Sequence, residues 1–163
     1  MVSGSNAEGA HYLQTEKPPL DELNVRLLTE LMADPRLRTT ELARRLGVSA
    51  PTVRERVTRL EESGVIRGYR LEVDPGALGL PVAAWVRLRP GPAQIARIIE
   101  LAGRTPEVVE CHRISGEDCF LMRVQVSAIG ALEEVLDKFL VHGQTTSSFI
   151  VSTPVPPRSV PLA

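Results

Sequence analysis

Between Thr39 and Gly64 the chain carries a run of punctuation, Gly47, Ser49, Pro51 and Gly64, that leaves room for only two short helices and fixes where each can begin and end. The first is expected to start near Thr39, whose hydroxyl can accept from a free backbone N–H of the opening turn. It places Leu42 and Leu46 on one face and stops at Gly47. The second is capped by Ser49 and accepts Pro51 in its first turn, where no intrahelical N–H is needed. It repeats Val53, Val57 and Leu60 at helical spacing. Gly64 suits a C-terminal cap, and the strand-like composition of residues 65–73 then predicts a wing carrying Arg67 and Arg70.

Two helices joined this tightly, followed by a basic strand, read as a winged helix-turn-helix. With the apolar stripe of the second helix fixed, Thr52, Arg54, Glu55, Arg56 and Arg59 point away from it, next to the cap residue Ser49. They offer hydroxyl, carboxylate and guanidinium groups suited to base edges and phosphates. Arg44 and Arg45 of the preceding helix, with Arg67 and Arg70 of the wing, extend the candidate surface for double-stranded DNA. The bland alternative is a small helical core with solvated arginines. Net charge is −1, which argues against a polyelectrolyte that coats nucleic acid indiscriminately. Locally the balance tips, since residues 21–70 hold ten arginines against eight acids.

The remainder is bounded by size and pattern. A chain of 163 residues with 43% hydrophobic content can bury one ordinary core or two small ones. No segment has the apolar length to span a bilayer, no secretion signal is evident, and Cys111 and Cys119 have neither metal-pair spacing nor disulfide density. A reducing cytoplasm, no membrane and no metal are expected. Residues 1–19 read as a flexible tail. The stripe Leu23, Leu27, Leu28 and Leu31 predicts a further helix from Leu20 that stops at Pro35. A DNA-binding domain over 20–73, a turn-rich linker over 74–81, a second domain over 82–155 and a tail over 156–163 follow. The second domain reads as strand (82–88), helix (92–102), strand (108–114), strand (120–126), helix (129–140) and strand (147–152). Right-handed crossovers make that order a four-stranded antiparallel sheet with both helices on one face. The fold class is therefore α+β. The other face is expected to be apolar and uncovered, with Trp85, Val86, Leu88, Val124 and Val126 as candidates for a dimer interface.

Leu42-Ala43-Arg44-Arg45-Leu46-Gly47-Val48-Ser49, the run from Arg59 through Gly64 to Tyr69, and Pro106-Glu107-Val108 followed by Glu110-Cys111-His112-Arg113-Ile114-Ser115-Gly116-Glu117 occur here in order. In these motifs, and from about Leu20 to Val155, the chain resembles the leucine-responsive/asparagine-responsive (Lrp/AsnC, or feast/famine) transcription regulators. The resemblance implies a ferredoxin-like effector domain after the winged helix-turn-helix. It also implies homodimers that assemble further, into octamers or similar rings, and control by an amino acid or related metabolite. It carries the effector turn onto Ser115, Gly116 and Glu117 and a late pair of hydroxyls onto Thr146 and Ser148. Independently of the family, a zwitterion needs donors for its carboxylate and an acceptor for its ammonium, which backbone N–H groups near Gly116, hydroxyls, and Glu117 or Asp118 can supply. No cofactor is implied beyond this non-covalent effector. The chain departs from the family in placing Cys119 where many members have aspartate, with Asp118 one residue earlier, and His142-Gly143-Gln144 where Pro-Gly-Val is common.

Some relatives of this architecture resemble haem-precursor decarboxylases, which makes a tetrapyrrole enzyme the alternative. Such chemistry needs histidines. His11, His112 and His142 form no evident pair with a second catalytic group, and Cys111 and His112 should point to opposite sheet faces, so no catalytic residue is assigned. A further alternative, a sensor that has lost DNA affinity, is opposed by the retained Arg54, Arg56 and Arg59.

Overall fold

The computed structural model describes residues 20–162, so the expected tail over 1–19, with His11, lies outside the described residues. The chain forms two compact units, one comprising residues 20–70 and 157–162, the other residues 71–156.

The first unit holds α1 (Glu22–Ala33), α2 (Thr39–Leu46) and α3 (Ala50–Glu62). Leu27, Leu28 and Leu31 of α1, Leu42, Ala43 and Leu46 of α2, and Val53 and Leu60 of α3 form one buried cluster, against which Val57, Val65, Ile66 and Leu162 also pack. Each large aliphatic side chain withdrawn from water contributes about 1.5–3 kcal/mol. The caps decide the boundaries. Asp21 Oδ1 accepts from Asn24 N–H at 2.7 Å to start α1, and Ser49 Oγ accepts from Thr52 N–H at 3.2 Å to start α3. Gly47 ends α2 with φ 70, a left-handed conformation that glycine adopts without steric cost. The expected Thr39 cap does not form. Arg38 is the N-cap of α2 and gives no side-chain hydrogen bond there, because Thr39 is already inside the helix.

The strand expected over 65–73 is also absent, and that stretch runs without ladder partners. Its first residues are held by the end of α3, with Ile66 N–H donating to Leu60 O at 2.9 Å and the Tyr69 hydroxyl to Glu61 Oε1 at 3.1 Å. A hairpin wing needs a second strand, and the next residues instead turn through Pro75–Gly79 within the other unit. The helix-turn-helix is present, therefore, while its wing is a single unpaired strip bearing exposed Arg67 and Arg70.

The second unit holds β1 (Val82–Pro90), α4 (Ile95–Arg104), β2 (Val108–Arg113), β3 (Phe120–Val126), α5 (Ile129–Leu140) and β4 (Gly143–Phe149). Its strands lie in the order β2-β3-β1-β4 and every pairing is antiparallel. Ala84, Val86, Leu88, Phe120, Met122, Val124 and Val126 share one sheet face and pack under Ile98 and Ala102 of α4 and Leu132, Val135 and Phe139 of α5. Both helices thus cover one face, as expected. Two element starts differ from expectation. The first helix of this unit begins at Ile95 rather than residue 92, because Ala93 takes a left-handed φ of 58 that a helix cannot contain. The last strand begins at Gly143 rather than residue 147, since its ladder with β1 runs out to Pro90 opposite Gly143.

The alternation of faces overturns most of the expected dimer surface. Val86 (0% exposed), Leu88 (0%), Val124 (1%) and Val126 (2%) are buried beneath the helices within the monomer. Trp85 sits on the opposite, open face, half-buried, because neighbouring strand residues point to opposite sides. That face is not uniformly apolar either. Register brings Arg87, Arg89, Arg123, Gln144, Thr146 and Ser148 onto it beside Trp85 and Leu121.

Candidate nucleic-acid interface and effector site

Pro51, Arg54, Glu55, Thr58, Arg59 and Glu62 line a shallow concavity on the exposed side of α3. Their spacing is that of a single helical stripe, set opposite the buried Val53 and Leu60. Thr58 escaped sequence reasoning, although it lies four residues after Arg54 and its hydroxyl faces the same way. Arg54 is exposed, and among the described residues it enters no ion pair, leaving its guanidinium available to a phosphate or a guanine edge. Arg59 lies on the same stripe but is paired with Glu55 one turn back.

The other expected DNA contacts are engaged within the unit. Ser49 Oγ and Thr52 Oγ1 are 2.8 Å apart and complete the α3 cap. Arg44 and Arg45 both donate to Glu41, and Arg45 also reaches Glu30 Oε2 of α1 at 2.7 Å. Those two guanidinium groups hold the Glu41 carboxyl down at about 2, well below its ordinary 4.5. Arg56 does not face the stripe. Its Nη1 donates to Asp21 Oδ2 at 2.6 Å and to Asn24 Oδ1 at 3.0 Å, at the start of α1.

In the second unit, the turn Ser115–Asp118 joins β2 to β3, and Gly116 takes φ 110 within it. Arg89, which sequence reasoning missed, reaches this turn from the end of β1. It pairs with Glu117 and lies 3.6 Å from Asp118 Oδ1 through its Nε. The signal was available in the register, because Leu88 opposes Phe120 and the next residue of β1 must overhang the turn. Asp118 precedes β3 altogether, so its displacement by one position costs it no strand face; it reaches Arg89 from the turn. Thr146 and Ser148 lie on the open face opposite Arg87 and Trp85. In one chain the turn and these hydroxyls are not brought together. β1 intervenes between β3, which the turn leads into, and β4, a separation of about 10 Å for two strand spacings. Gln144 is the β4 residue opposite Arg89.

The histidines offer no catalytic constellation. His112 Nε2 is 3.8 Å from Glu110 Oε2, and His142 Nδ1 is hydrogen-bonded to Gln94 Oε1 at 2.8 Å. Cys111 opposes Met122 and His112 opposes Leu121, which puts their side chains on opposite faces. Burial raises the Cys111 thiol above its ordinary pKa, the reverse of what a nucleophile needs. Among the described residues no three His, Cys, Asp or Glu side chains gather as a metal site.

A helix-turn-helix whose exposed helix carries Arg54, engaged in no ion pair among the described residues, joined to a four-stranded antiparallel sheet covered on one face by two helices, defines a two-domain DNA-binding regulator. Residues 20–67 match the winged helix-turn-helix DNA-binding family and residues 82–160 the Lrp/AsnC ligand binding domain. The HTH-type transcriptional regulator LrpC of Bacillus subtilis is 35% identical over 133 residues, covering 82% of this chain and 92% of that protein. The HTH-type transcriptional regulator LrpA of Mycobacterium tuberculosis is 34% identical, covering 82% and 91% respectively. A feast or famine regulatory protein from M. tuberculosis, solved in complex with L-methionine, superposes with a TM-score of 0.81 at 33% identity, covering 86% of this chain and 98% of that one. The chain belongs to the Lrp/AsnC family of transcriptional regulators. It is a regulator and not an enzyme, and the decarboxylase alternative finds no support among these relatives.

Proposed function

We propose that this regulator reads double-stranded DNA with the exposed stripe of α3 and that an amino acid controls it from the second unit. The observation that carries the reading is Arg54, a guanidinium that enters no ion pair among the described residues and is centred on a stripe that also bears Glu55, Thr58 and Arg59. Arg67 and Arg70, on the strip after α3, supply phosphate contacts. Ser49, Thr52, Arg44 and Arg45 act in the same interface chiefly by shaping it, given their contacts within the unit.

The effector site comprises the Ser115–Asp118 turn with Arg89, and the hydroxyls of Thr146 and Ser148. Arg89 offers a planar fork for a carboxylate, while Glu117 and Asp118 offer acceptors for an ammonium group. Because the turn and β4 stand apart in one chain, the site is completed between chains. The resemblance supports this reading, and so does the L-methionine held by the relative from M. tuberculosis. A homodimer forms over the open sheet face around Trp85, where the buried Arg123 Nε has no hydrogen-bond partner among the described residues. Dimers assemble further, to an octamer, in the cytoplasm. No helix among the described residues is long and apolar enough to cross a membrane.

Fluorescence anisotropy tests this reading. Preference for the duplex upstream of the protein's own gene over a scrambled duplex at the same salt, altered by an added amino acid, is the expected result. Equal binding to both duplexes, unmoved by any amino acid, would overturn it.

A further inference from the structure

The geometry points to Arg56 as a positioning residue, a clamp that sets the recognition helix against α1 and does not itself contact DNA; the inference rests on the DNA-reading function proposed above. Three observations converge on it. Arg56 is not part of the exposed stripe of α3. With Thr52, Leu60 and Ser63 it lines the neighbouring cleft of about 350 Å³, which shares Glu55 and Arg59 with the stripe and is bounded on the other side by Leu20, Asp21 and Asn24. Its side chain is 28% exposed, against 73% for Arg59 on the stripe.

The partners form a hub in which each group is used twice. Asp21 Oδ1 caps α1 by accepting from Asn24 N–H at 2.7 Å, while its Oδ2 accepts from Arg56 Nη1 at 2.6 Å. Asn24, whose N–H is capped, turns its Oδ1 to the same Arg56 nitrogen at 3.0 Å. The guanidinium beside Asp21, followed by the capping N–H, holds that carboxyl below its ordinary range, so it stays charged through the whole physiological span. One carboxylate therefore fixes both the first turn of α1 and the middle of α3. The apolar stripe of α3 supplies burial but tolerates rotation and sliding; a directional charge-assisted pair does not. A base-reading constellation must be held to about 0.5 Å and 10–20°, which this hub provides to Arg54 and Thr58 across the same helix and to Arg59 beside it.

The test is a salt series of anisotropy titrations on specific and scrambled duplexes for the full-length protein and for Arg54→Ala, Arg56→Ala, Asp21→Asn and the Asp21→Asn/Arg56→Ala double variant. Thermal unfolding of each confirms that it is folded at the assay temperature. Asp21→Asn is the informative change, because asparagine also caps helices and its substitution removes a negative charge from a DNA-binding unit. The clamp predicts that Asp21→Asn and Arg56→Ala each weaken specific binding by about ten-fold, the scale expected within a contacting pair, and that the double variant is no weaker than either. It also predicts that Arg56→Ala keeps the wild-type dependence of log affinity on log salt, whereas Arg54→Ala flattens the slope by about one unit or relaxes base preference. If Arg56→Ala flattens the slope and Asp21→Asn binds as well as or better than wild type, Arg56 is a phosphate contact and the clamp is wrong. Folded variants with wild-type affinity overturn it equally. Absence of binding by the wild-type protein at every salt concentration would instead remove the DNA-reading function itself.

Discussion

A Cβ added to Gly143 would collide with the carbonyl group of Arg89, on the neighbouring strand, closer than side chains and backbone ever approach. The contact falls where β4 begins, with Gly143 opposite Pro90 and Gln144 opposite Arg89, so the glycine lets the ladder start at the edge of the proposed effector site. Replacement by alanine forces two backbones apart and is expected to cost about 1–3 kcal/mol, read as a lower urea midpoint. Gly103, in α4, is the control. Nothing lies within 4 Å of its added Cβ, and Gly103→Ala should raise stability by about 0.4–1 kcal/mol. Equal midpoints for the two variants would show that the close approach does not constrain this end of the sheet.

Acid should loosen the helix-turn-helix through Glu41. Its carboxyl falls from the ordinary 4.5 to about 2, held there by the hydrogen bonds from Arg44 and then Arg45. A depressed carboxylate contributes stability that is complete above its unfolded value and is lost as pH falls through its folded one. The contribution is therefore expected to disappear between pH 4.5 and about 2. Glu41→Gln should lower stability at neutral pH and show a shallower loss in that window. A wild-type acid dependence in the variant would disprove the assignment.

Much of this architecture is legible in the sequence where local chemistry decides. Ser49 caps through its own hydroxyl while Pro51 and Gly47 act through their own backbones, and so the end of α2 and the start of α3 follow from them. The βαββαβ order likewise leaves one economical sheet. What escapes is what long-range pairing decides. The stretch from Val65 has strand composition, but a strand is defined by its partner, and the following residues turn away. Trp85 and Val86 both look like interface residues until register assigns them to opposite faces. Arg56 and Arg54 differ by two residues and read alike as cations. Only the packing of α3 on α1 shows that one is spent on Asp21 while the other enters no ion pair among the described residues. Arg89 reaches the turn of the proposed effector site because of where β1 ends relative to that turn far along the chain, which no local signal records.

Arg89 is expected to decide effector affinity more than the hydroxyls of β4. It already neutralises Glu117 and Asp118, and an incoming zwitterion exchanges those contacts for its own carboxylate and ammonium. Charge-assisted hydrogen bonds contribute about 1.5–3 kcal/mol, roughly twice a neutral one. Calorimetric titration with amino acids should then show Arg89→Met losing about ten-fold or more in affinity. Thr146→Ala should lose less. The reverse order would move the site away from the turn and toward β4.

Trp85 and Leu88 separate assembly from folding. They are three residues apart on one strand, yet the first lies on the open face and the second is fully buried under α4 and α5. Leu88→Ala removes core volume and is expected to cost about 2–5 kcal/mol of stability whatever the protein concentration. Trp85→Ala removes an aromatic anchor from the proposed dimer face, with little effect on the packed side of the sheet. Its expected effect is a dimer weaker by about 2 kcal/mol or more, since a central tryptophan is a common hot spot. Sedimentation over a dilution series, paired with urea unfolding at one fixed concentration, resolves the two. A Trp85→Ala dimer that survives dilution as well as wild type would place the interface elsewhere. If Leu88→Ala instead dissociates the assembly without destabilising the subunit, the assignment of sheet faces is inverted. The open face also carries Arg87 and Arg123, so dimerisation through it brings like charges together. That repulsion is screened at high ionic strength, and the dimer should therefore tighten as salt is added.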